Sequence, residues 1–198
     1  MSEKRENIII GIDLAGTPKN PTGWTLWKSK TILTRHLYTN SEIIKNSTTQ
    51  QPTIIAIDAP LSLPKKGIMR KANLQMRAHG YRVFPPRLPA MEKLTIRAIE
   101  ISQKIIKEGF NIIEVHPTST RKALKMPIKD WNKVQEVFLN MGLEGDLRNR
   151  TLSPHELDAV TAALTGHLHL NRKTQLIGSP KEGYIVVPLE SDWRNIRL

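Results

Sequence analysis

The chain has 198 residues and no cysteine, with 30 Lys+Arg against 18 Asp+Glu for a formal net charge of +12. That length suits a single domain, 1–198, with a full core, and the lack of cysteine excludes a structural disulfide, a thiolate nucleophile and a cysteine-ligated zinc site. The amino terminus, MSEKREN, is charged and has no signal-peptide stretch, and no later apolar run is long enough to span a bilayer, so a soluble, cytoplasmic protein is expected.

In chain order, NIIIGIDLAG at 7–16 reads as a buried strand ending in Asp13. TGWTLWKSKTILTRHLYTN then gives two alternating strands, roughly 23–28 and 31–38, turning at Ser29, so the fold begins as a three-stranded meander. A short helix near 41–46 leads into TIIAIDAPL at 53–61, a continuous apolar strand that ends in Asp58 and suits mid-sheet, with helices on both faces.

Between Lys65 and Arg97 lie nine cations opposed only by Glu92. On a helix through 66–79, Lys66, Arg70, Asn73 and Arg77 share one face that could track phosphates, and a solvated outer face is the plain alternative. The net charge of +12 and a pI near 10.1 for the whole chain favour a polyanionic partner such as nucleic acid.

VFPPRLPAM at 83–91 is irregular, because its prolines cannot donate to a ladder. A helix runs from there to about Glu108, with Leu94, Ala98, Ile101 and Ile105 buried and Gly109 as its stop. NIIEVHPTS at 111–119 is a third strand carrying an acid, Glu114. A helix capped by Asp130 runs to about Met141, and another begins at Ser153, where Pro154 and Glu156 complete a capping box. Along that last helix Leu157, Val160, Leu164 and Leu168 form the core stripe, Asp158 lies at its edge with His155 on nearly the same face, and His167 and His169 read as surface residues. GYIVVP at 183–188 closes the fold as a strand.

Parallel strands deliver their carboxyl ends to one rim, where open α/β sheets place ligands. Asp13, Asp58 and Glu114 are therefore expected to meet there, with Asp158 as a fourth acid. Close carboxylates repel and raise one another's pKa unless cations neutralise them. Each acid also has an ordinary reading, bonding its own loop or opposing a helix dipole. The chain carries no Gly-x-Ser-x-Gly elbow, zinc-protease His pair or P-loop.

A meander followed by alternating strands and helices, with acids on the first strand, the fourth strand and a late helix, resembles the RNase H-like fold: a mixed α/β sheet flanked by helices. More closely, GIDLAG, IAIDAPLSLP, YRVFPPRLPAMEKLTIRAI, IIEVHPTSTRKAL, HELDAVTAALTGHL and IGSPKEGYIVVP resemble, in order, the prokaryotic family catalogued as domain of unknown function 429 and described as predicted nucleases. His155-x-x-Asp158-Ala is similar to the late-helix motif of RuvC-type resolvases, a pattern to which Glu114 has no counterpart.

The resemblance implies phosphodiester hydrolysis by two Mg²⁺ or Mn²⁺ ions roughly 3.5–4 Å apart. Asp13 would bridge them, Asp58 and Asp158 would hold one each, His155 would complete the second site or move a proton, and Arg70, Arg77 or Arg87, with Lys66, would seat the backbone. A non-catalytic nucleic-acid-binding scaffold is a second reading. A third is an actin-like phosphotransferase, for which GIDLAGT is a loose match and one lobe's length is a poor one. The sequence sets no oligomeric state and leaves a homodimer open.

Overall fold

The computed structural model describes residues 7–198, so the reading of the charged amino terminus falls, for residues 1–6, outside the described residues. Three strands open the chain: β1 (Ile8–Asp13), β2 (Thr22–Lys28) and β3 (Thr31–Leu37). They pair as an antiparallel meander, with Ser29 in the left-handed region (φ 54°) at the tight turn between β2 and β3. Helix α1 (Asn40–Thr48), closed at its start by a Thr39–Glu42 capping box, leads to β4 (Ile54–Asp58), which lies parallel to β1.

Helix α2 (Lys71–Ala78) is shorter than the 66–79 expected from its cation spacing. It has no acid in its first turn, and its cap residue, Arg70, turns its side chain inward instead of capping. Next, α3 (Pro89–Lys107) starts on a proline at its first position and stops at Gly109, whose φ of 90° ends the helix. It buries Ala98, Ile101 and Ile105 as the spacing predicts.

Strand β5 (Ile112–Val115) follows, then α4 (Pro117–Ala123), α5 (Trp131–Asn140), β6 (Glu144–Gly145) and α6 (Asp146–Asn149). The chain ends with α7 (Pro154–Leu170), β7 (Thr174–Ser179), β8 (Gly183–Pro188) and a 3-10 turn at Trp193–Asn195. All eight strands form one mixed sheet in the order β6-β3-β2-β1-β4-β5-β8-β7, with β1, β4, β5 and β8 parallel at its centre.

Helices cover both faces. On one, α5 and α7 bury Val134, Phe138, Leu157, Val160 and Leu164 against Ile9, Trp27 and Ile54. On the other, α1 and α3 bury Ile43, Ala98, Ile101 and Ile105 against Ile10, Ile12, Ile55 and Ile57. Consecutive β1 residues thus feed opposite cores, which is why the strand reads as an unbroken apolar run.

Helix α7 lies so close to the sheet that residues 159–166 are buried all the way round. Glycine makes this possible: a Cβ on Gly11 would stand 2.0 Å from the Ala159 carbonyl oxygen, and one on Gly23 would stand 2.0 Å from that of His155. His167 accordingly is not a plain surface histidine. Its ring stacks on Trp27 at 4.9 Å and 3°, and burial lowers its pKa.

Among the described residues, no helix is long and apolar enough to cross a membrane.

Candidate active site

Asp13 is the last residue of β1 and Asp58 the last of β4, and the parallel register sets them side by side. Residues paired in a parallel ladder point to the same face. For β1 the parity is fixed by Gly11, whose missing Cβ faces α7. Asp13 and Asp58 therefore open toward α7, whose first two turns present His155 and Asp158 to them.

His155 Nδ1 lies 2.7 Å from Asp13 Oδ2. This bond to Asp13 raises the His155 pKa in spite of burial, and the charge of Asp158 adds to the effect. Asp158 binds Arg121 of α4, with Nη1 2.5 Å from Oδ1. Arg121 is itself almost fully buried, bonds Thr161 Oγ1 at 3.2 Å and stacks over the Trp131 ring at 5.1 Å. Burial still raises the Asp158 pKa, opposed by Arg121 and assisted by Asp13.

Asp58 stands between these pairs without a protein partner of its own: among the described residues no hydrogen bond reaches its carboxylate. Its pKa lies well above the ordinary value, chiefly through burial, with Asp13, Asp158 and Glu114 pushing it up and Arg121 alone pulling it down.

Glu114 lines the same cavity as Asp13 and Asp58, but its carboxylate is engaged by an arginine. It pairs in register with Ile57, one step back from Asp58, so it faces the opposite side of the sheet. There both of its oxygens accept bonds from Arg70, at 2.7 Å from Nη1 and 2.5 Å from Nη2, and Oε2 also accepts the Leu61 amide at 2.8 Å.

That pairing also corrects the basic-face reading: Arg70 is completely buried, and Asn73, which accepts from its Nε at 2.9 Å, is buried with it. Arg97 is interior too, donating to the carbonyls of Ala15 and Tyr38 and to Asn40 Oδ1. Lys66, Arg77 and Arg87 are exposed. A cation count cannot separate these two groups, because a guanidinium and its buried carboxylate are distant in sequence.

Glu156 takes the capping role. Ser153 Oγ and the Glu156 side chain bond each other's backbone amides, and Arg150 Nη2 reaches Glu156 Oε1 at 2.6 Å. Burial opposes ionisation of Glu156, but the Arg150, Ser153 and Thr34 bonds hold its pKa down at about 2.

A cavity of about 180 Å³ opens at this rim. Its lining includes Asp13, Asp58, Glu114 and His116 together with the apolar Val83, Phe84, Met91 and Leu94. His116 caps α4, bonds Ser119 Oγ at 2.7 Å and is held neutral, with a pKa of about 4, by burial and Arg121. Neither Arg121 nor His116 stands out in the sequence. The seven-residue α4 is too short to show helical periodicity, and the one local signal is Pro117 directly after a residue that can cap.

The donor chemistry suits a hard divalent cation: carboxylate oxygens, an adjoining imidazole and one acid with no counter-charge of its own. Among the described residues, no three His, Asp or Glu side chains converge as one coordination group; Asp13 contacts His155 and Asp158 contacts Arg121.

Residues 11–182 match the family described as protein of unknown function DUF429. The chain belongs to the DUF429 family. Comparison of this DUF429 chain with curated proteins finds no match. Among solved structures it is similar to Thermus thermophilus RuvC in complex with Holliday junction substrate, at 14% identity and a TM-score of 0.54. It is likewise similar to a second Thermus thermophilus RuvC structure, at 14% identity and a TM-score of 0.50. In both cases the match covers 83% of the DUF429 chain and 96% of the RuvC chain. This structural likeness shows an RNase H-like fold for the DUF429 protein.

Proposed function

We propose that this protein is a metal-dependent nuclease that hydrolyses phosphodiester bonds of DNA or RNA in the cytoplasm by a two-metal mechanism. The observation that carries the reading is Asp58, a carboxylate without a cation of its own, set between Asp13 and Asp158 on an RNase H-like rim. Asp13, Asp58 and Asp158 would hold Mg²⁺ or Mn²⁺. Bound there, such ions would supply a hydroxide nucleophile and stabilise the charge that develops in the in-line transition state.

The remaining roles belong to side chains of this chain. The bond to Asp13 favours the protonated form of His155, which could deliver a proton from Nδ1 to a departing oxygen once that bond is exchanged. Arg121 fixes the orientation of Asp158 from behind and keeps part of its charge compensated. The Glu114–Arg70 pair anchors the loop after Asp58 through the Leu61 amide, acting on the rim from the sheet's far face. Lys66, Arg77 and Arg87 are free at the surface to seat the phosphodiester backbone.

A labelled panel of single-stranded, duplex, hybrid and four-way-junction substrates in Mg²⁺ and in Mn²⁺ tests the proposal. The expected outcome is metal-dependent cutting that falls by at least about 10²-fold in both Asp13→Ala and Asp158→Ala. A second reading is non-catalytic binding of nucleic acid. It is favoured by one observation, that Arg121 and His155 already hold two of the three acids. Tight binding of the panel with no cutting in either metal, unchanged by Asp13→Ala, would establish it in place of the nuclease.

A further inference from the structure

The Pro-rich loop between α2 and α3 holds an aromatic ring in water. Phe84 is 67% exposed, while the residues around it, Val83, Pro85 and Pro86, are buried. Its backbone is fixed twice over: two prolines restrict the chain that follows, and the Phe84 carbonyl accepts a bond from Asn73 Nδ2 at 3.3 Å, Asn73 being locked in turn by Arg70. A ring two-thirds exposed lies largely outside the core and is open to a ligand.

Phe84 borders two cavities. One is the acidic cavity of Asp13 and Asp58. The other is lined by Arg77, Tyr81, Arg82 and Phe84, and both of its arginines are exposed. Lys122 adds a third cation, its Nζ lying 5.6 Å from the Tyr81 ring centroid. Acid pocket, aromatic ring and cationic pocket thus follow one another along the surface. A flat π-face beside guanidinium groups is the chemistry that receives a nucleobase together with the phosphate attached to it. A base inside a duplex is already stacked on both faces and has none to offer.

We infer that Phe84, with Arg77 and Arg82, forms a subsite for one unpaired nucleotide adjoining the acidic rim, so that the protein selects single-stranded or locally unpaired nucleic acid. The inference rests on the nuclease reading only for the direction in which the strand runs across the rim.

The test is fluorescence anisotropy with a labelled single-stranded oligothymidylate and a blunt duplex of equal length, both in EDTA, so that binding is read without cutting. Phe84→Ala is expected to weaken single-strand binding on the order of tenfold, to leave duplex binding unchanged and to be rescued by Phe84→Tyr. Arg82→Ala should reduce the slope of log K against log salt by about 0.7 for the single strand. An unchanged melting temperature for Phe84→Ala, expected of so exposed a residue, excludes misfolding as the cause.

Wild-type affinity in Phe84→Ala, an equal loss on single strand and duplex, or no single-strand binding by the wild-type protein would each overturn the inference. Failure to cut any substrate in metal would sink the nuclease reading and leave this binding result standing, and metal-dependent cutting with no dependence of binding on Phe84 would do the reverse.

Discussion

At the scale of single residues, the rim is a balance of charge held slightly out of balance. Asp13 has His155, Asp158 has Arg121, and Asp58 has neither. Because burial and its neighbours raise the Asp58 pKa above its ordinary 3.8, the folded protein retains a proton there that the unfolded chain has lost. Stability from this group is therefore greatest below pH 3.8 and declines as pH rises from there through the folded pKa. In a metal-free buffer at pH 7, Asp58→Asn should melt about 2–4 °C above the wild type, and the difference should close as the pH approaches 4. Thermal denaturation followed by circular dichroism over that pH range decides it, and an asparagine variant less stable at pH 7 would contradict the unbalanced rim. Glu156 shows the opposite arrangement: its carboxylate is fully bonded, its pKa falls to about 2, and it stabilises the fold above its ordinary 4.5. Its capping role was readable from the sequence, because cap and partner lie three residues apart. The pairing of Glu114 with Arg70 was not readable, because the two lie 44 residues apart and the face of Glu114 depends on a register that no local pattern sets.

At the scale of elements, the site is made by the seating of α7 on β1 and β2. The strands, the capped helix starts and the glycine stops were legible, since each is written in a few adjacent residues. The alanines of α7 at 159, 162 and 163 already suit close approach to the sheet, and the structure adds the strand side of that contact: Gly11 and Gly23 each leave the space into which an α7 carbonyl fits. Short elements were hidden: α4 with seven residues and the edge strand β7, which carries a glycine at 178 and is only partly buried, give no periodic signal. Gly23→Ala would force back the turn that bears His155, and the expected cost is about 3 kcal/mol with loss of the 2.7 Å contact to Asp13. Urea unfolding measures the first. The second should appear as a fall in the His155 pKa by NMR titration, since that bond is the main cause of its elevation. A variant with wild-type stability and an unshifted His155 would show that the strand accepts a Cβ at residue 23 without displacing the helix.

At the scale of the whole molecule, the net charge of +12 is sorted. Arg70, Arg97 and Arg121 are structural bolts inside the protein, while Lys66, Arg77, Arg82 and Arg87 remain in water. Composition gave the sign of the field, and only the fold separates the cations that can meet a polyanion from those that cannot. The same long reach governs how the rim comes into being. Asp13 and His155 touch across 142 residues, and α7 packs on β1, β2 and β4 alike. A chain ending at residue 152 keeps Asp13 and Asp58 but should show no cooperative urea transition, because both central strands lose the helix that covers them; a sharp transition in that fragment would refute this dependence. On the ribosome the consequence is one of timing. Synthesis proceeds from the amino end at roughly 5–20 residues per second, so a growing chain passes many seconds with its first two acids made and its helix still missing. Whatever the finished rim does to a polyanion, a nascent or prematurely terminated copy cannot do to the messenger RNA beside it.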